Sequence, residues 1–436
     1  MTKDFFLILS PLIYHNSMQN NNAKILDLAY EAGAILLENG AEISRVEDTI
    51  QRIATYYGVD DINVFVLSNG IMATGNNYAR SKFIPIKGSS LDKVVAVNQL
   101  SRDVTNGECD IEQLERRLHE IRSMKAKPAL EQIIASALGS GGFCIIFGGG
   151  FDDCLISTIA GLLLWIFILY VGNRHLSRIM TNVVGGLLAS FFCIVMFKLG
   201  FGTHLSNMII GAVIPLIPGV AFTNGIRDLA NEDYIAGVTR LLDALLTFFC
   251  IALGVALSFI IDSAIYGQIQ VLDPMIASSD TAAMYVQLPA AFIATWTFAA
   301  LFGVPRKYYI DCGICGMIGW LLYLILLRHT NMSPAISAFF ATALVALTSL
   351  VQSIVRKCPV TVFLISGIFP LVPGAGIFWT SYYMVSNDLY TAMQTGLVAI
   401  KVTIAIAAGI LVVMEINSKN RIGKLFLKDK KRRRTA

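Results

Sequence analysis

The sequence predicts a polytopic α-helical membrane protein with about ten transmembrane helices, arranged as two inverted five-helix repeats behind an N-terminal cytoplasmic α+β domain. Of its 436 residues, 55% are hydrophobic and only 15% are charged, whereas soluble domains carry about 25% charged residues. The chain from about residue 130 to 416 is nearly continuous apolar sequence. Within these apolar runs a proline–glycine motif occurs twice, at Pro215–Gly219 and at Pro370–Gly374.

The two ends of the chain are predicted to lie outside the folded parts. Residues 1–22 form a disordered or interfacial leader, because the apolar run Phe5–Tyr14 is shorter than the ~20 residues of a span. Residues 417–436 form a basic cytoplasmic tail with one acidic residue, Asp429. A nucleic-acid-binding tail is the alternative, but a basic tail directly after a span is better explained by the positive-inside rule.

Residues 23–128 are predicted to form the soluble α+β domain. Apolar residues at helical spacing indicate two amphipathic helices over 23–58, separated at Asn39-Gly40. Runs rich in Val, Ile and Phe between Asn/Gly turns indicate three strands. The predicted strands and the two helices after them are Asp61–Leu67, Gly70–Thr74, Arg80–Ile86, Leu91–Thr105 and Ile111–Met124.

The membrane part is predicted to contain two copies of a five-helix unit, over 129–262 and 284–416. Identical residues recur 155 positions apart, and five spans are an odd number, so the second copy enters the membrane upside down. The recurring pairs are Phe147 and Phe302, Gly161 and Gly316, Trp165 and Trp320, and Asp233 and Asp388. The predicted spans are 130–149, 153–171, 178–198, 205–223, 236–261, 284–303, 308–327, 334–355, 359–382 and 390–415.

The charges of the loops predict the orientation. With the N-terminal domain inside, the outer loops hold only Lys198 and Arg328, and the acidic outer loop over about 262–283 has no Lys or Arg. This distribution follows the positive-inside rule and predicts a multi-pass protein of the inner (plasma) membrane with both termini cytoplasmic. The basic residues of the cytoplasmic loops are Arg174, Arg178, Arg227, Arg240, Arg306, Lys307, Arg356 and Lys357.

The repeated proline–glycine motif predicts two broken helices. Each proline removes a backbone donor and clashes with the preceding turn, and such a break survives in a bilayer only where protein or a wet cavity surrounds it. Broken segments at matching places in two halves indicate a transporter's substrate site. The alternative is that Pro and Gly are common in membrane helices, which explains one copy better than two. The predicted substrate-binding residues of the motif are Pro215, Pro218, Gly219, Pro370, Pro373 and Gly374.

Three polar residues follow the first break, namely Asn224, Arg227 and Asp228. An arginine binds a carboxylate in bidentate fashion and an aspartate accepts hydrogen bonds from an ammonium group, so this pair is suited to a zwitterion. The alternative for Arg227 and Asp228 is a solvated ion pair in a cytoplasmic loop. The matching positions of the second copy are aromatic and include Trp379 and Tyr383, which indicates a wall or gate.

Two ionisable residues lie deeper in predicted spans, Asp243 and Lys401. Charges inside a membrane usually face the interior and are paired. The 155-residue offset places them about one turn apart on equivalent helices, so an ion pair or a proton-coupling element is our hypothesis. The alternative is that each side chain snorkels separately to the interface.

Other candidate sites are weaker. His204 and Asp152-Asp153 lie near the predicted outer face, and solvated loop residues explain them better than a gate or proton exit. Cys312-Gly-Ile-Cys315 has redox or metal spacing, but helix packing by small residues is the favoured interpretation. The glycine-rich runs lack the Gly-Lys-Ser/Thr ending of a P-loop, so transport is expected to be secondary, with no metal or cofactor.

The densest polar patch of the soluble domain is Asn39–Thr49. On a helix, Glu42, Arg45 and Asp48 share one face. Glu47 is also part of the motif. Helix capping and surface salt bridges, which contribute little stability, are the favoured explanation. Hydrolytic chemistry or sensing of a cytoplasmic ligand are the alternatives, and the motif shows no nearby His for a nucleophile–base pair.

Gly40–Thr49 (GAEISRVEDT) and Pro218–Asp228 (PGVAFTNGIRD) resemble signatures of the threonine/serine exporter family, and the resemblance covers nearly the whole chain in fused form. It implies export of threonine and serine by proton-motive force, in antiport with protons. The implied partners are the amino acid, protons and the bilayer, with no nucleic acid, and a homo-oligomer is left open. Split relatives are also linked to dicarboxylate (succinate) export, which is the alternative substrate. Asn231-Glu232 departs from the glycine-rich sequence of many members.

Overall fold

The computed structural model describes residues 22–59, 61–75, 78–85, 88–267, 283–330 and 332–418. Most of the predicted leader (1–22), most of the predicted basic tail (417–436) and most of the acidic outer loop lie outside these residues. The described chain divides into two compact units. Unit 1 contains the N-terminal residues up to Ala126 and also the segment Asn231–Gly237, and unit 2 contains Lys127–Ala230 and the chain from Val238 onward.

Unit 1 has two helices, three strands and two helices in chain order, as the sequence predicts. Its strands form one antiparallel sheet in the order β1-β2-β3, with Val66 opposite Ile71 and Met72 opposite Ser81. Gly40 ends the first helix in the left-handed region, at φ +81°, where a glycine has no Cβ penalty. The elements are α1 (22–38), α2 (Ile43–Tyr56), β1 (Asn63–Leu67), β2 (Gly70–Gly75), β3 (Tyr78–Phe83), α3 (Leu91–Thr105) and α4 (Ile111–Ser123).

Unit 2 consists of helices and short connections, with no strand among its described residues. A π-helical turn at Ile168–Gly172 joins α6 to α7, and short 3₁₀ turns precede α10, α13 and α16. The helices are α5 (Ala129–Ile146), α6 (Phe151–Phe167), α7 (Asn173–His175), α8 (Arg178–Lys198), α9 (Leu205–Val213), α10 (Gly219–Ala230), α11 (Tyr234–Tyr266), α12 (Met284–Leu301), α13 (Tyr309–His329), α14 (Pro334–Arg356), α15 (Thr361–Ile368), α16 (Gly374–Val385) and α17 (Leu389–Ser418).

Eight helical segments are long and apolar enough to cross a membrane. Two further pairs pass the same test only together, α9 with α10 and α15 with α16, and they are bent by 63° and 42°. The described residues therefore provide eight to ten candidate spans, and the prediction of a polytopic helical membrane protein is confirmed. The larger number, with each bent pair counted as one span, equals the number predicted from the sequence.

The secondary structure repeats with the same offset as the sequence motifs. α5 begins at Ala129 and α12 at Met284, 155 residues later. The two half-helices that follow the breaks begin at Gly219 and Gly374, again 155 residues apart. The offset therefore relates whole helices and not only the proline–glycine motif.

Small residues bring the helices of unit 2 close together. A Cβ on Gly142 of α5 would lie 3.1 Å from the Ala294 Cβ of α12, so the backbones of these helices approach closely at this point. Cys312 and Cys315 are buried on α13. No group of His, Cys, Asp or Glu suited to a metal ion occurs among the residues described.

Candidate functional site

Both proline–glycine motifs break their helices in the same way. α9 ends in a 3₁₀ turn over Ile214–Leu216, Ile217 is extended at φ −63° and ψ 129°, and α10 begins at Gly219. In the second copy the extended residue is Val372, at φ −61° and ψ 134°, before α16 begins at Gly374. Since Pro218 and Pro373 have no N–H and cannot continue the ladder, the sequence explains each break locally.

The two breaks contact each other. A Cβ placed on Gly219 would overlap the Phe369 ring and lie 2.9 Å from its Cδ2 atom. A Cβ placed on Gly374 would lie 3.2 Å from the Ile217 Cδ1 atom. The first break therefore packs against the 3₁₀ turn of the second, and the second packs against the extended residue of the first. We call this region the crossing, defined by Ile214–Gly219 and Phe369–Gly374.

Aromatic side chains fill one side of the crossing. The ring centre of Phe369 lies 5.8 Å from that of Phe143, 4.5 Å from that of Phe298 and 5.3 Å from that of Phe302. Aromatic pairs at these separations stabilise a packed arrangement beyond the area they bury. The Phe369 ring is therefore fixed by its neighbours, which makes this side of the crossing rigid.

The cavity at the crossing is closed to a solute. Its volume is about 10 Å³, and its lining includes Val213, Ile217, Gly374, Phe378 and Ser381. A space of about one probe sphere holds at most a water molecule. An amino acid can enter only if the half-helices on either side of the breaks move apart.

Buried charge follows the first break. Asp228 of α10 is fully buried, and its Oδ2 atom accepts a hydrogen bond of 2.6 Å from Arg240 Nη1 of α11, whose side chain is 5% exposed. Asn224 and Arg227 are also buried. The alternative of a solvated loop pair is therefore wrong, because these residues lie on a buried helix.

Arg240 and Thr223 are candidate site residues that the sequence alone does not identify. The sequence places Arg240 only among the cytoplasmic charges, and no helical spacing links it to Asp228, which lies 12 positions away. Thr223 is fully buried beside Asn224, and its Oγ1 atom has no hydrogen-bond partner among the described residues. A buried hydroxyl without a partner carries a desolvation cost, so this hydroxyl is available to a ligand.

The structure does not bring Asp243 and Lys401 together. Asp243 Oδ2 lies 3.1 Å from Arg178 Nη1, with side chains that are 41% and 61% exposed. Lys401 is exposed on α17. The predicted ion pair between Asp243 and Lys401 is therefore wrong, because Asp243, in the third turn of α11, pairs with Arg178 at the start of α8 instead.

A buried carboxylate anchors the start of the first broken span. Asp153 is fully buried in the first turn of α6, which corrects the expectation of a solvated loop residue. Its oxygens accept hydrogen bonds from the backbone N–H groups of Gly150 at 2.8 Å, Thr203 at 2.6 Å and His204 at 2.9 Å. His204 Nδ1 lies 2.7 Å from the same carboxylate. Since His204 is the N-cap of α9, Asp153 fixes the point at which this span begins.

Replacement of Asp153 by Asn is expected to destabilise the protein by about 1–3 kcal/mol. An amide presents one acceptor oxygen in place of two and turns a donor group toward backbone N–H donors. The melting temperature of the full-length protein in detergent measures this effect. The matched control is Asp152→Asn, because Asp152 is exposed next to it and exposed substitutions stay within about 0.5 kcal/mol. Equal melting temperatures for the two variants would contradict the anchoring role.

The polar motif of unit 1 is more buried than expected. Glu42 is 2% exposed, and its Oε1 atom accepts from Arg45 Nε at 3.3 Å. Arg45 Nη1 also donates to Asn98 Oδ1 of α3 at 3.2 Å. Asp48 pairs with Arg52 at 2.5 Å, and both of these side chains are exposed. The favoured surface interpretation therefore fails for Glu42, which is the buried N-cap residue of α2.

The segment Asn231–Gly237 completes the surroundings of this motif within unit 1. Asn231 Nδ2 donates to Ser44 Oγ at 2.8 Å, and Glu47 Oε1 accepts from the Val66 N–H at 3.1 Å. Burial raises the pKa of the Glu47 carboxyl, the Val66 hydrogen bond lowers it, and the charge of Asp233 raises it, with a net increase. The motif therefore contacts the connection between α10 and α11.

The raised pKa of Glu47 gives a pH dependence of stability. The folded state binds the Glu47 proton more tightly than the unfolded state, so its contribution is full below the unfolded pKa and is lost as the pH rises through the folded value. Glu47→Gln keeps the acceptor for Val66 and removes the charge. We expect slower hydrogen exchange of β1 in the full-length variant at pH 7, with a smaller difference at pH 4. The control is the exposed Glu120→Gln, and an identical pH profile in Glu47→Gln and the parent would contradict the effect.

Two family models match the chain. Residues 27–261 match the model described as "Putative threonine/serine exporter", and residues 287–416 match the model described as "Threonine/Serine exporter, ThrE". No solved structure matches the chain.

Two relatives match over most of the chain. It is 21% identical over 402 residues to the "Threonine/serine exporter" of Corynebacterium glutamicum, covering 89% of this chain and 81% of the relative. It is also 21% identical over 431 residues to the "Probable threonine/serine exporter" of Mycobacterium tuberculosis (strain ATCC 25618 / H37Rv), covering 92% and 79%. Both relatives are named as transporters and not as enzymes. The first family model matches more than half of this chain, and the chain therefore belongs to the threonine/serine exporter family.

Proposed function

We propose that the protein is a secondary active exporter of threonine and serine, driven by proton-motive force, with its substrate site at the crossing. The observation that carries this proposal is the contact between two broken helices, together with the buried charged residues on the half-helix that follows the first break. Broken helices at corresponding places of two repeats place partial charges and free backbone groups near the middle of the membrane. The names of the family and of both relatives support the substrate class.

Recognition of the zwitterion would use the groups of α10. The N-terminal end of α10 at Gly219 carries the positive end of a helix dipole, which favours a carboxylate. Asp228 and Arg240 form a buried pair in which each charge already has a partner, so a substrate would bind by exchanging partners with them. Asn224 and the Thr223 hydroxyl, both buried on the same half-helix, would accept or donate hydrogen bonds to the amino acid and its side-chain hydroxyl.

Alternating access would arise from an inverted repeat. The 155-residue offset in both sequence and helix bounds supports a duplicated five-helix unit, and an odd number of spans reverses the second copy. In this arrangement the closed cavity at the crossing is the occluded state, and opening on either side would separate one half-helix from the other. Pro215, Pro218, Pro370 and Pro373 would act as the positions where the halves bend. The charge distribution supports inner-membrane insertion with both termini cytoplasmic.

Proton coupling would use separate groups and not an ion pair. Asp243 and Lys401 would act individually, because Asp243 pairs with Arg178 and Lys401 is exposed. Unit 1 would have a regulatory role, because it includes the segment Asn231–Gly237, which contacts Ser44 near Glu47. We propose that a cytoplasmic ligand of unit 1 would influence transport through this connection.

A dicarboxylate is the second candidate substrate. The specific observation that favours it is the presence of two buried guanidinium groups, those of Arg227 and Arg240, on the two helices that follow the first break. Guanidinium groups bind carboxylates in bidentate fashion, and two of them match two carboxylates. Asp228, which is fully buried beside them, favours a substrate with an ammonium group and therefore an amino acid.

Efflux from proteoliposomes tests the proposed function. Vesicles that contain the full-length protein and are loaded with labelled threonine are expected to lose label faster than equally loaded vesicles without protein when a pH gradient is imposed. A protonophore is expected to remove the difference. Vesicles loaded with labelled succinate form the second arm. Efflux of succinate without efflux of threonine would contradict the amino-acid assignment, and equal threonine loss with and without protein would contradict export.

A further inference from the structure

A groove separate from the crossing lies on the surface of unit 2. Its volume is about 650 Å³, and α5, α12 and α13 line it. Leu130, Ile134 and Leu138 form its wall on α5, and they are 68%, 48% and 43% exposed. Their spacing of four residues places them in one row along the helix. At a rise of 1.5 Å per residue this row is about 12 Å long.

The opposite wall is also apolar. Trp296 and Ala300 of α12 and Ile310 of α13 line it, and Ile310 is 64% exposed. An elongated apolar groove of this volume fits a hydrocarbon chain. It does not suit a small zwitterion, because apolar walls cannot satisfy charged groups taken out of water.

One end of the groove is polar and cationic. The Glu131 carboxylate accepts a hydrogen bond of 2.5 Å from Arg306 Nη2 and one of 2.9 Å from the Tyr309 hydroxyl. The Arg306 side chain is 69% exposed, so part of its guanidinium faces outward. Lys127 Nζ lies 5.8 Å from the centre of the Tyr309 ring. Two cations against one carboxylate leave this end with net positive charge.

Aromatic rings lie at the boundary between the polar end and the apolar walls. The ring centres of Trp296 and Tyr309 are 6.3 Å apart in an edge-to-face arrangement. Trp and Tyr prefer the headgroup level of a bilayer, where one end of the ring is apolar and the other is wet. The groove therefore changes from cationic to aromatic to apolar along its length, which is the order of groups in a phospholipid.

We propose that this groove binds one anionic phospholipid, with its phosphate on Arg306 and Lys127 and one acyl chain along Leu130, Ile134 and Leu138. The charge of the polar end selects an anionic headgroup, and the row of side chains on α5 holds the chain. Because α5 and α12 are the first helices of the two halves of unit 2, the bound lipid would fill the seam between the halves. This site is independent of the substrate site at the crossing.

Native mass spectrometry of the full-length protein tests the site. The protein is reconstituted in vesicles with equal amounts of phosphatidylglycerol and phosphatidylcholine, extracted in mild detergent, and the retained lipids are counted. We expect enrichment of one phosphatidylglycerol per chain. In Lys127→Gln/Arg306→Gln the enrichment is expected to fall about tenfold, which corresponds to the loss of a charge-assisted hydrogen bond. In Ile134→Trp, which fills the groove, the bound lipid is expected to be lost altogether.

Two matched variants control for charge and for bulk. Arg174→Gln removes an exposed cation on α7, and Leu163→Trp adds the same bulk at a 44% exposed position on α6. Both are expected to retain the lipid as the parent does. Equal retention in all five proteins, or no preference for phosphatidylglycerol in the parent, would overturn the proposal. A loss of lipid in the two control variants equal to that in the groove variants would also overturn it, because the effect would then belong to the membrane surface in general.

Discussion

Asp228→Asn is expected to destabilise the protein by about 3–5 kcal/mol and to abolish transport. The change leaves the Arg240 guanidinium, 5% exposed, without the carboxylate that neutralises it. Breaking a buried ion pair by removing one partner costs this much because a buried charge remains uncompensated. The melting temperature of the full-length protein in detergent and its threonine efflux in vesicles measure the two effects.

Two further variants separate stability from transport. Asp243→Asn removes the acid of a half-exposed pair on the same helix as Arg240, and exposed pairs contribute about 0–1 kcal/mol. The double variant Asp228→Leu/Arg240→Met removes both buried charges, and such replacements are often neutral or stabilising. We expect this double variant to fold and to transport no threonine. Parental efflux by the folded double variant would show that the pair has no role in binding substrate.

Gly219→Ala is expected to have the second-largest effect. The added methyl group would overlap the Phe369 ring, which Phe143, Phe298 and Phe302 hold in place. A rigid ring cannot give way as a flexible side chain does, and overpacking in a filled core costs about 1–3 kcal/mol. We therefore expect a lower melting temperature and an efflux rate reduced by about tenfold or more, because the closed arrangement of the crossing no longer forms.

The matched control for this variant is Gly374→Ala. Its methyl group would lie 3.2 Å from the Ile217 Cδ1 atom, and the end of an isoleucine side chain moves more easily than a packed ring. The expected loss is less than about 1 kcal/mol. A second test is Gly219→Ala/Phe369→Leu, in which the smaller side chain makes room and part of the efflux returns. If Gly219→Ala and Gly374→Ala behaved alike, the asymmetric contact at the crossing would be contradicted.

The breaks were predictable because their cause is local. Proline and glycine act on the backbone of their own turn, so Pro218 and Gly219 specify a break without any information from the rest of the chain. The strands and helices of unit 1 were predictable for the same reason, since alternation and helical spacing are properties of short windows. β3 begins at Tyr78 and not at Arg80. Alternation patterns locate a strand but do not define its first residue, so the predicted boundary is wrong by two residues.

The partners of the charged residues were not predictable in this way. Asp228 pairs with Arg240 across the connection between two helices, and Asp153 accepts hydrogen bonds from residues 50 and 51 positions away. Neither of these separations along the chain follows from the periodicity of a helix. A run such as Asp152-Asp153 is typical of a solvated loop, and only the fold shows that one of the two carboxylates is buried.

The prediction for Asp243 and Lys401 failed for a different reason. An offset between repeats identifies equivalent positions on equivalent helices, but it does not show that these positions face each other. Helices related by a repeat contact at equivalent positions only where they lie close to the axis that relates them. Lys401 is exposed and Asp243 contacts Arg178, so the two side chains do not form a pair.

Accessibility of the crossing in the presence of substrate tests the central proposal most directly. Ser381 is 3% exposed and lines the closed cavity between the two breaks. In Ser381→Cys we expect the rate of alkylation by a small thiol reagent in vesicles to change severalfold on addition of threonine and to stay constant on addition of succinate, after subtraction of the parent's own cysteines. An alkylation rate that threonine leaves unchanged, in a variant that still exports threonine, would contradict a substrate site at the crossing.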